Sequence, residues 1–163
     1  MPSLCETRWL ARVDAISCLL AKYEQVIEAL REIEEESCTQ DASDAHSYIL
    51  SLESFPFIFF AVVTQTILAA IRPLSVLLQS IDIDLFSAHE EATNLVTILQ
   101  KMRGDDYFDR VYSRANNFAR QIHGEHFEPQ PTRVCNRSMH RPNAQSTSTK
   151  DNSKINIYNV FIR

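Results

Sequence analysis

"TRWLARVDAISCLLAKYEQVIEAL", residues 7–30, decides the fold. Its apolar residues fall at Trp9, Val13, Ile16, Leu20, Tyr23, Ile27 and Leu30, in steps of four and three that line one face of a helix. Thr7 is the expected N-cap. Glu34, Glu35 and Glu36 crowd the far end, where negative charge opposes the helix dipole, so the helix is expected to fray by about Ser37.

The rest of the chain extends this reading. At 163 residues it is long enough for one domain with its own core, and 45% apolar with 23% charged residues is ordinary globular composition. Only two glycines occur, Gly104 and Gly124, too few for the many tight turns of an all-β fold. The expected class is all-α: a bundle of about five helices followed by a basic, disordered C-terminal linker.

A polar stretch over residues 38–45, with Asp41, Ser43 and Asp44 as cap candidates, leads into a short helix through Tyr48, Ile49 and Leu52. Then comes "FPFIFFAVVTQTILAAIRPLSVLLQSI", residues 55–81, apolar on nearly every face until Arg72. A membrane span needs about 20 mostly apolar residues. This run carries Thr64, Gln65 and Thr66 at its middle and is interrupted by Arg72 and Pro73, so a central helix buried on all sides is expected, with no membrane contact. Pro73 removes a backbone donor and should kink or restart that helix.

From Asp82 the helical period returns through Leu85, Ala92, Leu95, Leu99 and Met102 and stops at Gly104. Asp105 and Asp106 suit the first turn of the next helix, whose stripe is Phe108, Val111, Ala115, Phe118 and Ile122 and which Gly124 terminates. Thus the two glycines bracket one helix. Beyond Gly124 the chain turns to Pro, Arg, Asn, Ser and Thr, and no apolar period survives. The expected organisation is a helical domain over residues 1–126 and a basic polar linker over 127–154. Residues 155–163, "INIYNVFIR", form an apolar end without a partner, as if cut from something longer.

The formal charge of −5 is unevenly spread: residues 1–126 carry ten Lys and Arg against nineteen Asp and Glu, and residues 127–163 carry six against two. An acidic body does not hold nucleic acid by bulk charge, so such a contact must come from a local patch or from the basic tail. Cys5, Cys18, Cys38 and Cys135 match no compact disulfide framework and follow no leader of the secretory kind, so reduced thiols in an intracellular protein are expected.

Residues that carry chemistry are sparse. No Ser or Cys stands out with a His and an orienting acid. His123, His126, Cys135 and His140 are zinc-ligand types, but their spacing matches neither a finger nor a ribbon, and a helix end and polar loop suit solvated side chains better. The acids Asp82/Asp84, Glu90/Glu91 and Asp105/Asp106/Asp109 lie near helix starts, where the dipole favours them without a metal. Arg133, Arg137, His140, Arg141, Lys150 and Lys154 make a basic tail able to touch phosphates without reading sequence, as a plain linker would also be composed. From spacing alone Trp9 is a core residue.

A family resemblance adds to this. "CETRWLARVDAISCLLAKYEQVIEAL", residues 5–30, resembles the Thr-Arg-Trp segment that opens the helical insertion of hAT-superfamily transposases and of host proteins derived from them. The branch with zinc finger MYM-type proteins and the 52 kDa repressor of the inhibitor of the protein kinase is the most similar. The order of later blocks is similar too: residues 57–103, then the arginine-rich "RVCNRSMHRPNA" (133–144), then "IYNVFI" (157–162). The resemblance implies an RNase H-like catalytic domain interrupted by an all-helical insertion, with three acids binding two divalent ions, Mg or Mn, for DNA cleavage and transfer. It places all three acids outside this chain, with residues 155–163 as the start of the return to the catalytic domain. A non-catalytic fragment without its own cofactor, placed in the nucleus, is therefore implied. In that family the aromatic matching Trp9, with Arg8 beside it, stacks on a flipped base of a DNA hairpin; Arg133, Arg137 and Arg141 would add phosphate contacts. The alternative is a helical module that pairs with itself or another protein through an exposed apolar surface.

Overall fold

A computed structural model describes residues 8–36, 40–80, 82–129 and 148–159 of the chain, and all regular structure among them is helical. The first helices, α1 (Arg8–Ala21) and α2 (Tyr23–Glu36), form one rod. The backbone ladder continues across Lys22, whose N–H donates to Cys18 O and whose carbonyl accepts from Val26 N, both at 3.0 Å. The described part of the rod runs to Glu36; Ser37, where fraying is expected, lies outside the described residues. Val13, Tyr23 and Ile27 of the expected stripe are buried, and Ile16, Leu20 and Leu30 half-buried.

Helix α3 (Gln40–Leu52) folds back on α2. It starts inside the stretch expected as a polar connection, because Gln40 and Asp44 are themselves helical neighbours joined by a 3.0 Å hydrogen bond. Ala45 and Ile49 face inward, while Tyr48 stands in solvent. The turn after α3 is pinned from two sides. Tyr23 Oη donates to Leu52 O at 2.7 Å, and Arg31 pairs with Glu53 at 2.7 Å.

Helix α4 (Phe55–Leu78) is the axis on which α1, α5 and α6 pack. Pro56 sits in its first turn, where a missing N–H costs nothing. Phe55, Ile58, Phe59, Ala61, Val62, Val63 and Leu68 are buried, and each large apolar side chain removed from water contributes about 1.5–3 kcal/mol.

Two expectations for this helix need correction. The helix is not buried on all sides: Pro56, Phe60 and Ala69 are exposed along it, and toward its end Arg72, Pro73, Val76 and Leu78 are exposed, because α1 pairs antiparallel with α4 (Ser17 to Gln65, Asp14 to Arg72) and has little length left beyond Arg72. Nor does Pro73 restart the helix, which runs through it. The missing donor is a single bond, the ring projects at an exposed position, and the flanking turns are held by packing and by Ser75 Oγ donating to Ile71 O.

Helix α5 (Leu85–Met102) is capped by Asp84, which accepts from Phe86 N at 3.0 Å and Ser87 N at 3.3 Å. Leu85, expected on the stripe, is 80% exposed; Ala88 takes the inward place ahead of Ala92, Leu95, Leu99 and Met102. Helix α6 (Asp105–His123) lies between the two glycines, as its sequence indicates. Ala115 and Ala119 are fully buried and allow it to approach α4 closely. Gly124 ends it at φ 97°, a conformation that favours glycine, with its N–H donating to Arg120 O.

The end of the described chain departs from the sequence reading. Residues assigned to a linker and to an unpartnered apolar end form α7 (Thr149–Ser153) and a π-helical turn (Lys154–Tyr158) that dock on the bundle. Tyr158 is buried, its ring edge-on to Phe108 at 5.1 Å, and its hydroxyl donates to Met102 O. Ile157 and Tyr158 of the apolar end therefore pack within the chain, while Val160, Phe161 and Ile162 lie outside the described residues.

Candidate functional site

Arg8 and Trp9 lie in the first turn of α1. The antiparallel pairing of α1 with α4 puts that turn at the level of the α4 segment beyond Arg72, the end of the bundle where α4 protrudes. Thr7, Arg133, Arg137 and Arg141 lie outside the described residues, so of the residues expected to meet DNA only Arg8 and Trp9 fall in a described element.

Three of the acidic candidates, Asp84, Asp105 and Asp109, have structural partners. Asp84 caps α5, and the Ser87 hydroxyl (2.6 Å) with the Phe86 N–H holds its carboxyl below the usual range. Asp105 pairs with Lys154 at 2.6 Å and Asp109 with Lys150 at 2.8 Å, which raises the Lys150 ammonium above its ordinary value. Two members of the basic tail thus neutralise two members of an acidic cluster. Both ammonium groups also lie over aromatic rings, Lys150 by Tyr112 and Lys154 by Phe108.

Of the four zinc-ligand types, Cys135 and His140 lie outside the described residues. His123 Nε2 is 2.9 Å from Glu53 O, a carbonyl that can only accept, and its ring stacks on Phe127 at 4.6 Å. This ring fastens α6 to the α3–α4 turn. His126 is exposed, and no three His, Cys, Asp or Glu residues gather as a metal site among the described residues. Cys18 is a free, exposed thiol.

Two surfaces remain that the sequence reading did not single out. One is a groove of about 860 Å³ between α1 and α6, floored by Leu20, Val62 and Phe118. Arg110 and Arg114 stand on its α6 side. Arg114 is held by Gln65 Oε1 and by Thr66 Oγ1 (3.4 Å), and Gln65 donates to Ser17 Oγ at 3.3 Å. The i, i+4 spacing of the arginines is readable in the sequence, but their juxtaposition with Gln65 is not.

The other is an apolar corner where α4 ends and α5 begins. Val76, Leu78, Ile83, Leu85 and Phe86 are all exposed there, Phe86 by 77%. Helix α4 is also long and apolar enough to cross a membrane by length and composition, with 33% of its most apolar window buried within the fold.

No protein-family model matches this chain, and no solved structure matches it.

Proposed function

We propose that the chain acts by binding and not by catalysis, as the helical insertion of a hAT-like, transposase-derived protein whose Arg8–Trp9 turn contacts a DNA end in the nucleus. The observation that carries this reading is the Thr7-Arg8-Trp9 motif at the head of the α1–α2 rod. An indole at a helix start can offer a face to an unstacked base, and a neighbouring guanidinium can meet phosphate. The tail arginines Arg133, Arg137 and Arg141 would supply sequence-independent attraction, which the acidic body does not. No cofactor enters the account, and the Mg- or Mn-dependent acids belong to a catalytic domain outside this chain.

Competition between a hairpin-ended and a flush-ended duplex tests the reading. Preference for the hairpin supports it. Equal binding to both ends, or cleavage of either by the chain with Mg or Mn, contradicts it.

A second reading, a self-associating helical module, is favoured by the apolar corner of Leu85, Phe86, Val76 and Leu78. Light scattering across concentration tests it: a dimer that Phe86→Asp dissolves supports it, and a monomer at every concentration contradicts it.

A further inference from the structure

The groove between α1 and α6 is a different surface from either of these, and the inference drawn from it depends on neither reading. Both helices pack on α4, but the space between them is unfilled over Leu20, Val62 and Phe118. The groove runs on along the rod into a second concavity of about 240 Å³ that shares Leu20, Phe118 and Gln121 and reaches Glu24. From Arg110 to Gln121 the α6 wall is about 17 Å long, three helical turns.

Its charge is the decisive feature. The chain is acidic, yet the two cations on this wall have no acidic partner among the described residues. Arg114 is fixed by the neutral side chains of Gln65 and Thr66, which occupy two of its five N–H donors. Arg110 makes no hydrogen bond or ion pair with any described residue, and the neighbouring Asp109 is taken by Lys150. Two guanidinium groups four residues apart, beside an apolar floor, match a ligand that carries carboxylates next to an apolar ridge.

The form of that ligand follows from the walls. Both are helices whose backbone groups are already bonded internally, so an extended peptide would find no ladder to join. A guest must satisfy its own backbone, and an open trough three turns long suits a helix.

We infer that the α1–α6 groove binds an amphipathic helix of a partner protein. An acidic pair at i, i+4 on the guest faces Arg110 and Arg114, and its apolar ridge lies over Leu20, Val62 and Phe118. Glu24 at the far end disfavours a further acid there.

The test is a display library of three-turn amphipathic peptides, selected on the folded chain and counter-selected on the Arg110→Glu/Arg114→Glu variant. Selected peptides are expected to carry the acidic pair beside leucines. Their fluorescence anisotropy on the whole chain should show Kd rising at least about tenfold on charge reversal, with recovery when the peptide acids become lysines. Arg110→Glu alone breaks no bond within the chain and serves where the double variant fails to fold. Selected peptides without acids, or binding indifferent to Arg110→Glu, would overturn the inference. So would self-association of the chain that Arg110→Glu abolishes, because the occupant would then be a second copy.

Discussion

Tyr158 Oη donates to the carbonyl of Met102, 56 residues earlier, and so ties the end of the described chain to the C-terminus of α5. The exposed Lys150–Asp109 and Lys154–Asp105 pairs flank this anchor but contribute little, since exposed ion pairs are screened by water and salt. Tyr158 carries the attachment. Truncating a buried aromatic costs about 3–5 kcal/mol, and losing only the hydroxyl about 1–3 kcal/mol. Urea denaturation should therefore rank stability as wild type above Tyr158→Phe above Tyr158→Ala. Equal midpoints for wild type and Tyr158→Ala would mean that α7 and the π-turn are not part of the folding unit.

The same residue sets an alkaline limit. Burial pushes the Tyr158 hydroxyl up to about 12, with the charge of Tyr107 adding to it, and burial likewise raises Tyr23 and Tyr112. A hydroxyl whose folded pKa lies above its unfolded value favours the fold fully below about pH 10, and that contribution is lost as pH rises through about 12. Far-ultraviolet circular dichroism from pH 9 upward should show unfolding across that window, with a smaller pH dependence in Tyr158→Phe. An identical alkaline profile in the two proteins would contradict this.

Asp84 has the opposite sign. Its carboxyl is held low by Ser87 and Phe86, so its contribution is present above the ordinary carboxylate value and disappears as pH falls through the depressed one. Asp84→Ala removes the cap of α5 and should lower Tm by about 2–4 °C at neutral pH. The gap from wild type should close in acid. A variant as stable as wild type at pH 7 would show the cap to be dispensable.

Ala115 is fully buried where α6 meets α4, and Thr66 and Arg114 hold the same contact together at 3.4 Å. Ala115→Leu forces extra methylenes into this contact and should destabilise by about 1–3 kcal/mol. An unchanged urea midpoint would place slack between the helices that this packing does not contain.

Much of this arrangement is legible in the sequence where a helix has one wet and one dry face. The stripe of α6 through Phe108, Val111 and Ala115 is such a case, and so is the rod from Val13 to Ile27. Local pattern fails where a neighbour decides. Leu85 reads as core by its hydropathy, but Asp84 starts the helix there and turns Leu85 outward, leaving the inward place to the small Ala88. Pro73 reads as a break, yet packing of the flanking turns carries the helix through it. The burial of Tyr158 depends on a contact across 56 residues and has no local signature. For the candidate sites, the Arg8–Trp9 motif is visible in sequence, whereas the groove is not, because it exists only once α1 and α6 lie on the same helix.

The most direct test of the proposed function is equilibrium binding of a hairpin-ended DNA to the chain and to Trp9→Ala, each at about 50 and 200 mM salt. Base stacking on an aromatic is worth about 1–3 kcal/mol, so loss of the indole should weaken binding about 5- to 150-fold, while the salt slope stays the same because no phosphate contact is removed. Binding that is absent, or that is unchanged by Trp9→Ala, would contradict the account and leave the Thr7-Arg8-Trp9 motif as helix packing alone.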